Sequence, residues 1–449
     1  MRRLHIKLIM PKMNRRPMDT GLKLHMAPPL GLLTIVNLVR DENYVELENE
    51  NIQKINYDDT PDIVGISVTV DTLPRAAKIA RRFREKGCVV VAGGIYITTA
   101  YKIIRKDLFD VYCIGAAEET WPRIIEDFKN NNLQSVYRCC APVSGKKIVS
   151  PAYDFLKKGE YLYCNVIHTS RGCPFRCDFC YNSAKERQYV NRDIEDVLAD
   201  IRAVRSKHIM IIDDNFAGNP KWTKAFLKRI IPLKIKWSAA VSINAAYDDE
   251  LLDLMKKSGC RSLFIGFESI NPSSVSGVHK VQNSVHEYER AIKAIHDRGI
   301  MINGSFVFGL DGDTVDTFKT TLDWIVKNRI ETVTSHILTP YPGTALYDRM
   351  KAEGRILTNN LALYNTANVV YMPKGMTREE LYHGYLQIYK DIYSFKNIIR
   401  RCPKSKEIRA AYFMFNIFYR KFGRFTDTLC RIISYEKIGW FAEKFSGFI

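Results

Sequence analysis

The chain has 449 residues, of which 46% are hydrophobic and 26% charged, and its formal net charge is +18. These proportions are typical of globular proteins and exclude collagenous, low-complexity and wholly disordered chains. The positive charge favours an anionic partner, which could be nucleic acid, an anionic membrane surface or a phosphorylated substrate. MRRLHIKLIMPKM at the start predicts a first strand rather than a secretory signal, because Lys7 and Pro11 interrupt the apolar stretch. We find no apolar run that approaches the roughly 18 residues of a membrane-spanning helix.

The chain has 11 cysteines, and apart from one tight group and the pair Cys139–Cys140 they are scattered. An odd and scattered set argues against a secreted disulfide scaffold. We therefore expect a reducing compartment, the cytoplasm, in which the thiols stay free.

Residues 1–135 alternate between apolar runs and amphipathic stretches. DIVGISVTV and CVVVAGG are rich in β-branched residues, and TLPRAAKIARRFREKG has the apolar spacing of a helix. This alternation predicts an α/β fold with a doubly wound, Rossmann-like parallel sheet, in which ligands bind beyond the carboxyl ends of the strands. Gly93, Gly94 and Gly115 fall at such ends, where a missing Cβ lets a ligand approach the backbone. Ordinary strand-ending turns are the alternative.

Three further segments follow. Residues 136–160 lack periodicity and carry Pro, Gly and Ser, which predicts a linker. Residues 161–356 contain six strand–helix units and predict a partial (βα)6 barrel, shorter than the eight-unit form. Residues 357–449 predict a basic, aromatic helical region, in which Thr377 and Glu380 form a capping-box pattern.

The segment RGCPFRCDFCYNS follows the first predicted barrel strand and holds Cys173, Cys177 and Cys180 in a C-x3-C-x2-C pattern. A structural zinc site needs four ligands, and no fourth Cys or His follows at a suitable interval. A [4Fe–4S] cluster held by three thiolates leaves one iron open to an exogenous ligand, which is a catalytic arrangement. Three unligated thiols are the other alternative, but such thiols oxidise readily.

This spacing, with Phe179 directly before the last cysteine, resembles the radical S-adenosylmethionine (SAM) superfamily. The resemblance implies that SAM chelates the open iron, and that one electron cleaves it to methionine and a 5′-deoxyadenosyl radical. A reductase, flavodoxin or ferredoxin is the implied electron donor. The family motifs imply SAM contacts from Phe179, Asp213, Asp214, Ser242, Glu268, Gly304, Phe308 and Tyr341. A turn cap is the alternative for Asp213 and Asp214, and a structural salt bridge is the alternative for Glu268.

The N-terminal segment resembles the cobalamin-binding domain of many radical SAM enzymes, and the whole resemblance covers roughly residues 5–401. It implies cobalamin contacts from Ser67, Gly93, Gly94 and Gly115. The chain departs from the pattern at Tyr96, where relatives often have a histidine, and at Ala116, where GEGE is frequent. The D-x-H-x-x-G motif that would ligate cobalt is absent from the sequence. A Rossmann-like sheet that has lost its ligand is therefore the alternative.

The implied reaction is cobalamin-dependent methylation of an unactivated carbon in a small-molecule or lipid-like substrate. The alternatives are a radical SAM cyclase or rearrangement enzyme and an iron–sulfur electron-transfer or binding protein. Radical SAM methylthiotransferases, which modify tRNA, carry a second cysteine-bearing cluster domain before the barrel. Here the N-terminal Cys88 and Cys113 lie in strand-like runs typical of core residues, and no appended RNA-binding module is evident, so nucleic acid is not expected as a partner. The sequence does not identify residues that act on the substrate.

Residues 396–449 contain 12 Lys/Arg and 4 Asp/Glu, and aromatic residues interleave with Arg420, Lys421 and Arg424. A basic, aromatic amphipathic helix can lie in a membrane interface. This pattern suggests peripheral contact with the inner membrane face. The alternative is a helix whose aromatic residues pack on the barrel.

Overall fold

The structure, a computed structural model, describes residues 2–139, 143–183 and 189–445, so Cys140 lies outside the described residues. The first six strands form one parallel sheet in the order β2-β1-β3-β4-β5-β6. These strands are His5–Met10 (β1), Tyr44–Asn49 (β2), Ile63–Ser67 (β3), Val89–Gly93 (β4), Val111–Ile114 (β5) and Val136–Arg138 (β6).

Four helices cover this sheet: Leu30–Val39 (α1), Leu73–Arg84 (α2), Ile95–Ala100 (α3) and Ala117–Lys129 (α4). Helices α1 and α4 pack in the core on one face, and α2 and α3 pack in the core on the other. Burial on both faces explains the continuous apolar runs of the central strands. The predicted doubly wound parallel sheet is confirmed.

Two strands and one helix of this N-terminal part do not have the sequence pattern expected of buried strands or amphipathic helices. β2 (YVELEN) and β6 lie at the two edges of the sheet, where a strand needs little apolar surface. β6 falls in the predicted linker, so the expectation of a linker from residue 136 is wrong for its first three residues. α3 is only six residues long and rich in β-branched side chains, which is an unfavourable helical composition.

The second sheet is open, six-stranded and parallel, in the order β14-β13-β12-β11-β10-β7. Its strands are Val166–Ile167 (β7), His208–Ile211 (β10), Lys236–Val241 (β11), Cys260–Glu268 (β12), Met301–Phe308 (β13) and Thr332–Ile337 (β14), and a separate antiparallel pair is Ser170–Arg171 (β8) with Val190–Asn191 (β9). An open sheet of six successive parallel strands is the arrangement predicted for the partial barrel.

Helices connect these strands. They are Ile194–Val204 (α5), Pro220–Ile230 (α6), Asp249–Lys257 (α7), Pro272–Ser276 (α8), Tyr288–Asp297 (α9), Asp316–Lys327 (α10) and Ala345–Ala352 (α11). The first predicted strand, LYCNVIHTS, is longer than the two residues of β7, because a non-sheet segment follows Ile167 and leads to the cysteine loop.

The C-terminal region is helical as predicted. Its elements are Arg378–Ile392 (α12), Phe395–Arg400 (α13), Arg409–Phe413 (α14), the π-helix Met414–Lys421, Gly423–Ile433 (α15) and Tyr435–Phe445 (α16). The capping box of Thr377 and Glu380 at the start of α12 is confirmed. The aromatic tail does not form one continuous amphipathic helix, because the π-helix and a break at Phe422 divide it.

The segment Gly21–Val39 is long and apolar enough to cross a membrane by length and composition, so the expectation that no apolar run approaches this length is wrong. Half of its apolar window is buried inside the protein. Pro28 and Pro29 separate a short 3-10 helix from α1, and α1 packs in the core of the first sheet. These packing contacts are those of a core helix.

Arg401 joins the C-terminal region to the barrel. Its buried guanidinium donates to the carbonyl oxygens of Ile330 (2.7 Å), Glu331 (2.9 Å) and Ile392 (2.7 Å). A buried acceptor that loses its donor costs roughly 1–3 kcal/mol.

We predict that Arg401→Leu lowers the free energy of unfolding by about 3 kcal/mol, since it leaves several buried carbonyl groups without a donor. Chemical denaturation followed by circular dichroism measures this change. Arg400→Leu is the matched control, because Arg400 is exposed, and it should change the free energy by less than about 0.5 kcal/mol. Equal losses in the two variants would contradict the assigned role of Arg401.

Candidate functional site

A cavity of about 720 Å³ lies where the carboxyl ends of the two parallel sheets meet. From the first sheet it is lined by Ser67, Gly93, Gly94 and Gly115, and from the barrel by Arg171, Gly172, Asp213 and Asp214. The four residues predicted at the strand ends of the first sheet therefore share one cavity with the beginning of the cysteine loop. Its volume is within the range of ligand-binding pockets.

Two of the glycines are required by the backbone of the first sheet. Gly94 has a φ of 100°, and a Cβ there would lie 2.8 Å from the Val68 nitrogen. Gly115 has a φ of 92°, and its Cβ would lie 2.8 Å from the Cβ of Cys139. The strand-ending turns that were the alternative explanation are therefore real, but the same turns form the cavity edge.

The cysteine loop follows β8, where Cys177 is buried and Cys173 and Cys180 are half-buried. Among the described residues, the three thiols are not within the 4.8 Å of one another that ligands of a single ion require; only His5, Glu46 and Asp59 are. Lys7 forms salt bridges with Glu46 and Asp59, so its ammonium group already balances the charge of these carboxylates. In a [4Fe–4S] cluster each thiolate binds a different iron, so wider separation fits a cluster better than a zinc ion.

Each of the three sulfurs faces at least one N–H donor. Asn215 Nδ2 lies 3.9 Å from Cys173 Sγ, and Gln282 Nε2 lies 3.5 Å from Cys177 Sγ. The backbone N–H of Asn182 donates to Cys180 Sγ at 3.4 Å. N–H donors stabilise the anionic form of a sulfur and tune the potential of a cluster that it holds.

Burial raises the pKa of each of the three thiols, and that of Cys180 reaches about 11. The N–H donors oppose this shift, whereas the neighbouring thiols and Asp214 add to that of Cys180. The thiols are thus protonated at neutral pH without metal. Metal binding would displace these protons, which makes affinity fall at low pH.

Asp213 is a structural residue of the cysteine loop. Its carboxylate accepts from the Thr169 backbone N–H at 2.7 Å, and the hydroxyls of Thr169 and Ser170 also donate to it. Burial raises the pKa of Asp213 to about 6 although these bonds oppose the shift. Because both oxygens are engaged by the protein, the predicted SAM contact does not suit Asp213. Asp214, the next residue, is exposed and lines the cavity.

Ser242 and Glu268 both lie near the sulfurs. The Ser242 hydroxyl accepts from Asn215 Nδ2 at 3.1 Å, and the same amide faces Cys173. Glu268 ends β12 at a β-bulge with a φ of 62° and forms a buried salt bridge with Lys280. The structural salt bridge that was the alternative for Glu268 is therefore present. Lys280 also lies over the ring of Phe179 at 6.0 Å.

Two predicted SAM contacts lie on the helix side of the barrel sheet. The Phe308 ring stacks on Phe318 of α10 at 4.8 Å, and a Cβ at Gly304 would lie 3.1 Å from Ile330 and Phe306. The alternation of β13 turns the Phe308 side chain into the core, so the predicted SAM contact there falls to the backbone and stays a prediction. Tyr341 follows β14. Its ring stacks on that of Tyr181, the residue directly after the last cysteine, with ring centroids 4.6 Å apart.

An ion pair missed by the sequence reasoning crosses the cavity. Arg171, just before Gly172, donates to both carboxylate oxygens of Glu118, at 2.9 and 2.6 Å. Glu118 lies in the first turn of α4, directly after Ala116 and Ala117, and its side chain is only 4% exposed. The pair therefore holds the cysteine loop against the edge of the first sheet.

Comparison with known proteins gives matches along most of the chain. Residues 167–325 match the sequence profile of the radical SAM superfamily, and residues 344–431 match a domain of unknown function, DUF4070. Bacteriochlorophyllide d C-12(1)-methyltransferase of Chlorobaculum tepidum is 27% identical over 378 residues, which are 81% of this chain and 81% of that protein.

Two solved structures have a similar fold. OxsB, a cobalamin-dependent S-adenosylmethionine radical enzyme with aqua-cobalamin and SAM bound, gives a TM-score of 0.69 at 16% identity and covers 94% of this chain and 72% of its own. TsrM of Kitasatospora setae, a radical SAM methyltransferase with cobalamin and a [4Fe–4S] cluster bound, gives 0.63 at 17% identity and 78% coverage of both chains.

We predict that Asp213→Ala lowers the iron content reached on anaerobic reconstitution to less than half that of the wild type. It leaves the buried N–H of Thr169 unpaired, which costs roughly 1–3 kcal/mol, and loosens the chain just before Cys173. Asp214→Ala is the matched control and should keep both iron and melting temperature. Similar iron content in the two variants would refute this role of Asp213. Iron analysis and the visible spectrum give the result.

Proposed function

Because this chain is a radical SAM enzyme, we propose that it methylates an unactivated carbon with the help of cobalamin. The main support for this proposal is a single cavity, which extends from Gly93, Gly94 and Gly115 of the first sheet to the beginning of the cysteine loop. A cofactor bound at that edge would face a cofactor bound at the thiols. Cobalamin-dependent methylation needs two cofactors that can share a substrate.

The residues around the thiols fit a [4Fe–4S] cluster. Cys173, Cys177 and Cys180 would hold it, and Asn215 and Gln282 would donate to two of the sulfurs. When bound and reduced, such a cluster supplies the electron that cleaves SAM, and cobalamin carries the methyl group. Asp214, which lines the cavity, and Ser242, which accepts from Asn215, are proposed as SAM contacts beside the thiols.

The edge of the first sheet fits cobalamin as the occupant of the cavity. Ser67, Gly93, Gly94 and Gly115 leave the backbone uncovered there, as the resemblance to cobalamin-binding domains implies. A cofactor with uncharged amide groups needs hydrogen-bonding backbone and hydroxyl groups rather than charges. The Rossmann-like sheet would act as the cobalamin-binding domain, the barrel as the SAM domain, and both would position the substrate between them.

A small, hydrophobic or lipid-like molecule is the proposed substrate. The similarity to a bacteriochlorophyllide methyltransferase supports this class. The proposed electron donor is a reductase, a flavodoxin or a ferredoxin, and the proposed compartment is the reducing cytoplasm, in keeping with the scattered cysteines.

Anaerobic reconstitution with iron, sulfide and hydroxocobalamin tests the reaction. After addition of SAM and a reductant, we expect 5′-deoxyadenosine, S-adenosylhomocysteine and protein-bound cobalt. The triple variant Cys173→Ser, Cys177→Ser, Cys180→Ser should hold no cluster and form no 5′-deoxyadenosine. Iron and 5′-deoxyadenosine without cobalt would overturn the methylation and leave a cyclase or rearrangement enzyme. If the protein binds the cluster but does not cleave SAM, the remaining interpretation is an iron–sulfur electron-transfer or binding protein.

The cavity offers a specific test of cobalamin binding through Gly31. This residue lies in the first turn of α1 and lines the cavity, and a Cβ there meets no atom within 4 Å. We predict that Gly31→Phe lowers the amount of cobalamin retained on gel filtration at least about fivefold, because the ring takes cavity space, while iron content stays unchanged.

Gly159→Phe is the matched control for this variant. Gly159 also has nothing within 4 Å of its Cβ position and does not line the cavity. This control should bind cobalamin as the wild type does. Unchanged cobalamin retention by Gly31→Phe would move the cobalamin site away from this cavity.

A further inference from the structure

Exposed apolar side chains are concentrated at the C-terminal end of the chain. The large hydrophobic residues exposed there are Phe395, Ile399, Phe418, Phe422, Phe425, Ile432, Ile433, Trp440, Phe441 and Phe445. Ile399 is 69% exposed, Phe425 67% and Ile432 78%. Exposed apolar groups at this density mark an interaction surface rather than scattered surface residues.

A second cavity, of about 910 Å³, opens beside this region and is strongly basic. It lies between the end of α10 and the turn after α13. Its charged lining consists of five basic residues and one carboxylate: Lys327, Arg329, Arg400, Lys404, Arg409 and Asp323. Such a lining favours an anionic group over a neutral or cationic one.

The protein itself holds two of these guanidinium groups in place. Arg329 donates to the carbonyl oxygen of Cys402 at 2.8 Å, and Arg409 donates to those of Pro403 and Lys404 at 3.1 Å each. Lys327 forms an ion pair with Glu289. Among the described residues, Arg329, Arg400, Lys404 and Arg409 form no ion pair with a carboxylate within 4.0 Å. Fixed cations without a counter-charge are a ready site for an anion.

Helix α13 joins the basic cavity to the apolar surface. Ile399 lines the cavity and is exposed, and Phe395, one turn earlier, is 51% exposed. The Phe395 ring lies 6.2 Å from Phe422 and beneath the ammonium group of Lys421, 5.3 Å from its centroid. Aromatic and basic side chains thus alternate along one continuous surface. We call Phe395, Ile399, Phe422 and the basic cavity the α13 surface.

We propose that the α13 surface docks the protein on an anionic phospholipid membrane. The basic cavity would take the phosphate of a headgroup, and Phe395, Ile399 and Phe422 would enter the interfacial layer. Aromatic and aliphatic side chains flanked by Lys and Arg are the composition that binds such an interface. This proposal goes beyond the methylation reaction and does not depend on it.

The lining of the cavity also argues against single-stranded nucleic acid as the occupant. Sites for single strands stack the bases on aromatic rings inside a basic groove. None of the described residues that line the basic cavity is aromatic, and the rings of Phe395 and Phe422 stand outside it, exposed to solvent. This arrangement suits a headgroup below a layer of acyl chains.

Vesicle co-sedimentation of the full-length chain tests the proposal. We expect at least about tenfold stronger binding to phosphatidylcholine vesicles that contain phosphatidylglycerol than to phosphatidylcholine alone, and weaker binding at high salt. The variant Arg400→Glu, Lys404→Glu should lose at least about tenfold of the binding to anionic vesicles. The variant Phe395→Ser, Ile399→Ser should lose a similar amount of binding to anionic vesicles, and this loss should depend less on the salt concentration.

Matched controls use exposed residues elsewhere. Arg290→Glu with Lys293→Glu reverses two charges on α9, where the side chains are 70% and 76% exposed. Ile103→Ser with Val315→Ser removes two apolar groups that are 58% and 48% exposed. Both controls should bind anionic vesicles within about twofold of the wild type, with an unchanged melting temperature in all variants.

Three outcomes would overturn the proposal. Equal binding to neutral and anionic vesicles would remove the role of the basic cavity. Wild-type binding to a single-stranded RNA oligonucleotide but not to vesicles would assign the cavity to nucleic acid. An oligomer that Phe395→Ser, Ile399→Ser converts to monomer, with no vesicle binding by the wild type, would make the surface an interface between two copies of the chain. None of these outcomes affects the test of SAM cleavage.

Discussion

The candidate site depends on how firmly the cysteine loop is held against the first sheet, and the ion pair of Arg171 and Glu118 supplies that constraint. The pair is bidentate and largely buried, so it fixes orientation as well as distance. Glu118 also lies in the first turn of α4, at the positive end of the helix dipole. On the other side of the loop, Tyr181 stacks on Tyr341 and meets Tyr96 edge-on at 6.5 Å. Tyr96, one of the departures from the cobalamin pattern, thus has a packing role between the two sheets.

Two carboxylates around the cysteine loop, Asp213 and Glu268, are bound by the protein itself. Asp213 holds Thr169 and Ser170, and Glu268 holds Lys280, so both are taken up by neighbours on the protein. Asp214 lies in the cavity lining. These internal bonds favour a cysteine loop that is rigid before any cofactor enters, which is a requirement for precise positioning.

Much of the fold follows from the sequence, because buried parallel strands and amphipathic helices leave strong local patterns. The edge strands β2 and β6 escaped prediction, since one polar face and a short length remove that pattern. The three cysteines were visible because their spacing is local. Their donors were not: Asn215 is 42 residues from Cys173 and Gln282 is 105 residues from Cys177, and only the succession of barrel strands brings them together. The burial of the Phe308 ring against Phe318 was not predictable either, because sequence alone does not give the orientation of side chains in a strand that is apolar on both sides.

The aromatic tail divides into a part that packs on the barrel, as one alternative held, and a part that is exposed, while membrane contact stays a prediction. Tyr412 is buried and Asn416 donates to the carbonyl oxygen of Glu331, whereas Phe418 and Phe422 are about half exposed. The π-helix Met414–Lys421 contains Asn416 and Phe418. It changes the number of residues per turn and so rotates the stripe of aromatic side chains around the helix. The basic cavity lies near Arg329, at the amino end of β14, whereas the candidate site lies at the carboxyl ends of the strands. A membrane bound at the α13 surface would therefore leave the candidate site facing away from the lipid, so docking would set the location of the protein and would not by itself deliver a substrate.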